Sequence, residues 1–210
     1  MASYKTHKQG AIIAGGVASV ASFSLGMVSI DQAIIVFIVG FLGGLAPDLD
    51  HDTSTPCKFV FRFLAVLVPV ILISKHPELH QDSTSMVLSF AVIGAIIYWP
   101  VRLVFQKATE HRGIFHSIPA TIIFGEIFFL AMGRQSHDIP YQKAIGISAS
   151  LGYFTHLLLD EFVSINFTGT SFKPKKSLGT AIDLFKPNKR VTTIAYVILG
   201  VLSILVYRQL

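Results

Sequence analysis

The chain predicts an all-α fold: a polytopic membrane helix bundle of about six to seven transmembrane helices, forming one domain over residues 1–210. Three observations carry that expectation. First, 52% of the residues are hydrophobic and only 14% charged, where a soluble domain carries about 25% charged residues. Second, apolar segments recur at lengths that suit a bilayer. Third, the basic residues crowd into alternate connections between those segments.

Taken in order, the apolar segments fall at about Ala11–Ile30, Gln32–Ala46, Phe59–Ser74, Met86–Phe105, Ser117–Gly133, Ala144–Phe162 and Val191–Tyr207. A transmembrane helix needs roughly 17 to 25 such residues. The first segment is diluted by Gly15, Gly16 and several serines, but small residues in a membrane helix also permit close packing. A cleaved signal peptide is the other reading of this stretch. Lys5 and Lys8 would be its basic region and Ser19-Val20-Ala21 its cleavage site, and cleavage would remove His7. The second and third segments are short, so they are expected to be tilted, re-entrant or partly embedded.

Loop charge sets the orientation. With the N-terminus inside, thirteen basic residues are cytoplasmic: Lys5, Lys8, Lys58, Arg62, Arg102, Lys107, Arg112, Lys173, Lys175, Lys176, Lys186, Lys189 and Arg190. Four lie outside, namely Lys75, Arg134, Lys143 and Arg208. The bias puts the N-terminus on the cytoplasmic side of the membrane. It also explains the net charge of +5 without a nucleic-acid partner. The Lys- and Pro-rich stretch 166–190 reads as a basic cytoplasmic loop with an ordered part around Leu178 to Phe185. It serves either as an anchor on anionic lipid, or as a platform from which Lys175 or Lys176 reaches an anionic substrate. A soluble regulatory partner is also expected at this face.

The same topology brings four polar clusters to the cytoplasmic side: His7; Asp48, Asp50, His51 and Asp52; His111, Arg112 and His116; and His156 with Asp160. Ionised groups at a membrane boundary are costly unless paired, hydrated or bound to metal. A single cysteine, Cys57, excludes an internal disulfide and a cysteine-based zinc cage. Any metal is therefore held by His and Asp. His156 and Asp160 are four residues apart and share a helical face, as a metal pair or as a plain hydrogen-bonded pair. His111 and His116 converge only if the chain bends at Gly113 in a loop leading into the fifth helix. Arg112 would then present a permanent cation suited to phosphate. Asp48 pairs with His51 on a helix or with Asp50 on an extended segment; both geometries stay open. Asp52 and Glu110 read as bystanders. His7 reads as a tail residue that only topology makes a candidate.

Together, Thr6-His7, Gly44-Leu45-Ala46-Pro47-Asp48-Leu49-Asp50-His51, His111-Arg112-Gly113-Ile114-Phe115-His116-Ser117 and His156-Leu157-Leu158-Leu159-Asp160 resemble the YdjM-like inner-membrane proteins. That family is described as membrane-bound metal-dependent hydrolases, some members carrying a LexA-binding label. The resemblance spans most of the chain and is less clear from Phe172 onward. It implies His7, Asp48, Asp50, His51, His111, His116, His156 and Asp160 as the polar site. The family is distantly similar to zinc-dependent phospholipase C, with its trinuclear His, Asp and Glu site; this is analogy and carries no substrate.

The expected function is a membrane-bound hydrolase of a lipid or lipid-linked phosphoester, working through metal-activated water. One to three divalent ions are expected, zinc first and manganese or iron as alternatives. Asp50 or Asp160 would take the proton and Arg112 would hold the phosphate. A cation transporter or channel is the second reading, although its site is expected nearer the bilayer middle. Glu126, deep in the fifth apolar segment, is the residue that fits it, and its pairing partner is not evident from sequence. The third reading is a structural or regulatory membrane protein whose metal ties loops together.

Overall fold

The computed structural model describes residues 3–50, 55–79, 81–104, 115–133, 138–168, 171–174, 182–185 and 188–210. Among them a helix forms at each of the seven apolar segments: α1 (Tyr4–Ser24), α2 (Ile30–Gly43), α3 (Thr55–Lys75), α4 (Ser83–Ile96), α5 (Ile118–Gly133), α6 (Ile139–Val163) and α7 (Lys189–Tyr207). One short antiparallel hairpin, β1 (Ile165–Thr168) with β2 (Ser171–Pro174), accompanies an otherwise all-α fold. It occupies the start of the stretch expected to be loop. Residues 182–185 are the described part of the expected ordered segment, and the Asp183 carbonyl accepts from the Ile118 N–H at 3.1 Å.

Among the described residues, three helices are long and apolar enough to cross a membrane, over Cys57–Ser74, Ser83–Val104 and Lys189–Tyr207, while α2 and α5 are apolar but shorter. The third segment is longer than expected. At 1.5 Å per residue the 21 residues of α3 reach about 31 Å, matching a hydrocarbon core of about 30 Å. The 14 residues of α2 reach only about 21 Å.

By its contacts the chain forms two compact units, residues 48–111 and residues 1–47 with 112–210. In the first of these, α3 and α4 pack as a hairpin. Asp82 caps α4 by accepting from the Ser85 N–H at 2.8 Å, which satisfies a donor the first turn leaves open. Gly94 allows close approach, since a Cβ there would stand 2.8 Å from the Ala65 carbonyl oxygen. Below it α4 passes into a π turn, Ile97–Val101, around Pro100. Proline supplies no N–H to the helical ladder, and the wider turn accommodates that. Val66, Val70, Val87, Leu88 and Val104 are exposed, the outward apolar surface of helices made for lipid.

The other unit holds α1, α2, α5, α6, α7 and the hairpin. α6 is central, packed by α1, α2 and α5, and α5 in turn carries α7. Small side chains set the spacing. α1 buries His7, Ala11, Ala14, Gly15, Ala18 and Ser22, one face at helical period. α6 buries Ala144, Ser148, Ala149, Gly152 and His156 along its own stripe. Hydroxyls stitch the helices through backbone carbonyls: Ser19 Oγ to Ala33 at 2.6 Å, Ser148 Oγ to Val36 at 2.7 Å and Ser150 Oγ to Thr121 at 3.2 Å. Bonds of this kind between membrane helices average about 0.6 kcal/mol, so several are needed to matter. The turn between α1 and α2 depends on Gly26, whose φ of +69° lies in the left-handed region that glycine tolerates without strain. Val36, Val39, Ile145 and Ala149 form the dry core of this unit.

Candidate metal centre

Four side chains from three distant stretches meet at one end of this unit. His7 comes from the first turns of α1, His116 from just before α5, and His156 with Asp160 from the last turns of α6. All four are buried, none more than 5% exposed. His7 Nε2 lies 3.2 Å from Asp160 Oδ1, and His116 Nε2 lies 3.7 Å from Asp160 Oδ2. His156 Nε2 stands 3.9 Å from that same Oδ2. The His7 and His156 rings stack at 3.8 Å and 16°, while His116 meets His156 edge-on at 5.7 Å and 70°. Ligand atoms of His7, His156 and Asp160 lie within 4.8 Å of one another, close enough for one cation.

Local structure explains each placement. Ser3 caps α1, accepting from the Thr6 N–H at 3.2 Å, so the helix begins at Tyr4. His7 is thereby a helical residue, where the sequence alone suggested a tail preceding the helix. From His7, Ala11 and Ala14 continue the same buried face, which aims the imidazole inward at α6. Close passage of α2 across α6 sets the next contact. A Cβ on Gly152 would fall inside the Gly40 carbonyl, and one on Gly44 would stand 2.8 Å from Ala11 Cα. With hydrogen in those places, the Gly44 carbonyl comes within 2.9 Å of His156 Nδ1. A carbonyl oxygen only accepts, so Nδ1 carries the proton. The other nitrogen of the ring, Nε2, faces Asp160 Oδ2. An imidazole held through Nδ1–H by a backbone carbonyl is the usual outer support of a metal-binding histidine.

Two electron-rich atoms facing each other, an imidazole nitrogen and a carboxylate oxygen, require a cation or a proton near them. The donor set of three imidazoles and one carboxylate suits zinc.

Tyr153 also positions the site and escaped the sequence reading. Its hydroxyl donates to the Phe115 carbonyl at 2.5 Å, pinning the residue before His116. The available signal was spacing, because Tyr153 sits three residues before His156 on the same buried face. Backbone acceptors such as Gly44 carry no side-chain signal at all.

The remaining expected ligands divide in two. Asp48 is half-buried in the 3-10 turn Ala46–Asp50, directly after the fully buried Pro47, and it opens the other unit. Asp50 ends that turn; its side chain, together with Asp52, His51, Glu110, His111, Arg112, Lys175 and Lys176, lies outside the described residues. Glu126 is placed away from the cluster, on α5, and it has the partner the sequence could not name. Ser203 Oγ of α7 donates to its Oε1 at 2.6 Å.

Residues 1–208 match the family model described as YdjM inner membrane protein. No curated protein matches the chain, and neither does any solved structure.

Proposed function

Because the chain belongs to the YdjM inner membrane protein family, we propose that it is a membrane-bound, metal-dependent hydrolase of a lipid or lipid-linked phosphoester, with its N-terminus and its site at the cytoplasmic face. The observation that carries this reading is the burial of His7, His116, His156 and Asp160 against one another. Desolvating so many titratable groups in one place is costly unless they hold something. These residues would hold a divalent ion, zinc before manganese or iron, which when bound would supply a water of lowered pKa and polarise a phosphoryl oxygen.

The chain's residues would divide the remaining work. His7, His116 and His156 supply nitrogen donors and Asp160 supplies oxygen. Asp48, His51 and His111 are further candidate ligands, enough for a second or third ion. Asp50 or Asp160 takes the proton from water. Arg112 binds a non-bridging phosphate oxygen through its planar fork. The basic 166–190 stretch holds the headgroup layer and offers a surface to a soluble regulatory partner.

The enclosure of the four side chains also favours one rival reading, a closed structural site. Structural zinc is four-coordinate and shut, whereas catalytic zinc keeps a position for water. Metal analysis of the gently purified protein, beside Asp48→Ala and His116→Ala variants, separates the cases. The hydrolase reading expects stoichiometric metal, turnover of a phosphoester in a screen that includes lipids, and loss of turnover in both variants. Absence of metal from the wild type ends it. Tightly held metal with no turnover of any phosphoester supports the structural site instead.

A further inference from the structure

Beside the histidine cluster runs a cavity of about 360 Å³, walled by α5 and α7 and floored by Tyr153 of α6. That volume falls within the roughly 300 to 1,000 Å³ of small-molecule sites. Its lining residues include Phe115, Ala120, Ile127, Tyr153, Val191 and Ile198. Water gains nothing from such a wall. The cavity is also open along one side, since Ile127 is 47% exposed and Ile198 is 43% exposed. On α7, a helix apolar enough to span a membrane, an open side of this kind faces hydrocarbon.

The cavity has a direction. Ile118 bonds to Asp183 shortly before α7 starts, Glu126 meets Ser203, and Gly133 lies against Gln209, so α5 and α7 run parallel. Phe115 and Val191 therefore mark one end, while Ile127 and Ile198 mark the other. From Ala120 to Ile127 is seven helical steps, about 10 Å of depth. The Phe115 end is one residue from His116, and Tyr153 links the two through its bond to the Phe115 carbonyl. Directly before Val191 come Lys189 and Arg190, both exposed. The groove thus presents cations at its mouth, metal-type ligands beside the mouth, and hydrocarbon within.

We propose that this groove seats the hydrocarbon chain of an anionic amphiphile, a single acyl chain bearing a phosphate head, with the head at the histidine cluster and the chain lying between α5 and α7. The assignment rests on the hydrolase reading for what happens to the head, but the seating of the chain is tested separately.

The test uses the full-length protein in detergent with palmitoyl and hexanoyl lysophosphatidate as probes, retention being read by native mass spectrometry and zinc by metal analysis of the same samples. The wild type is expected to retain the palmitoyl probe about tenfold over the hexanoyl probe, because the longer chain buries more apolar surface. Ile198→Trp and Ile127→Trp fill the groove from opposite walls and should each bring that ratio near one. Ile122→Trp, which lies on α5 outside the groove, should leave it unchanged. If one groove variant fails to fold, the other decides. Equal retention of both probes by the wild type, or a ratio that survives groove filling, overturns the assignment. Chain preference without zinc keeps the groove and removes the hydrolase reading; zinc without chain preference does the reverse.

Discussion

Replacing Gly152 with alanine is the most direct test of how the histidine cluster is held. The new Cβ would stand 2.9 Å from Gly40 C and Gly44 N and closer still to the Gly40 carbonyl oxygen. Carbon contacts are comfortable at about 3.5 to 4.0 Å. α2 and α6 must therefore separate by at least about 0.6 Å, the difference between 2.9 Å and the lower of those limits. His156 lies one turn beyond Gly152 and bonds to Gly44 at 2.9 Å. Adding even this minimum takes that bond to about 3.5 Å or beyond, the edge of hydrogen bonding. Overpacking of this kind costs about 1 to 3 kcal/mol, and the slack imidazole should weaken metal affinity roughly tenfold or more. The assay is thermal unfolding in detergent together with metal retention under dilution. Gly16→Ala is the internal control, since nothing lies within 4 Å of a Cβ there. It should be neutral or slightly stabilising, by up to about 1 kcal/mol. An unchanged melting temperature and unchanged metal retention in Gly152→Ala would show that helix spacing does not position the site.

Tyr153→Phe removes the hydroxyl that holds the Phe115 carbonyl, so it should cost about 1 kcal/mol and loosen metal binding through His116; titration with a fluorescent zinc chelator reads this. Ser203→Ala leaves the Glu126 carboxylate without the hydroxyl that donates to it and should destabilise by about 1 to 3 kcal/mol. Glu126→Gln in that background should recover part of the loss in a melt, and no recovery would argue that charge at Glu126 is immaterial. Intact-mass measurement of the membrane-extracted protein should retain α1, since cleavage after Ala21 would carry His7 away from Asp160.

Much of the fold is legible in sequence because a bilayer imposes long apolar runs that a one-dimensional reading can see. Each run from Ala11–Ile30 to Val191–Tyr207 coincides with a helix, although edges move where a local cap decides them, as Ser3 does for α1. The hairpin after Ser164 was not legible. Its strands are four residues each, too short for alternation to declare itself.

The ordered motifs carry the resemblance to the family, residue type and loop charge mark the candidate His and Asp clusters, and a single cysteine excludes a cysteine-based zinc cage. Which of those residues meet is a tertiary outcome. His7 joins Asp160 across more than a hundred residues of chain because glycines let backbones touch at α1, α2 and α6, and because a bare carbonyl at Gly44 turns His156 toward its neighbours. Glycines mark in the sequence where backbones could touch, but which helices they bring together, and that a backbone carbonyl accepts from His156, only the folded structure could supply.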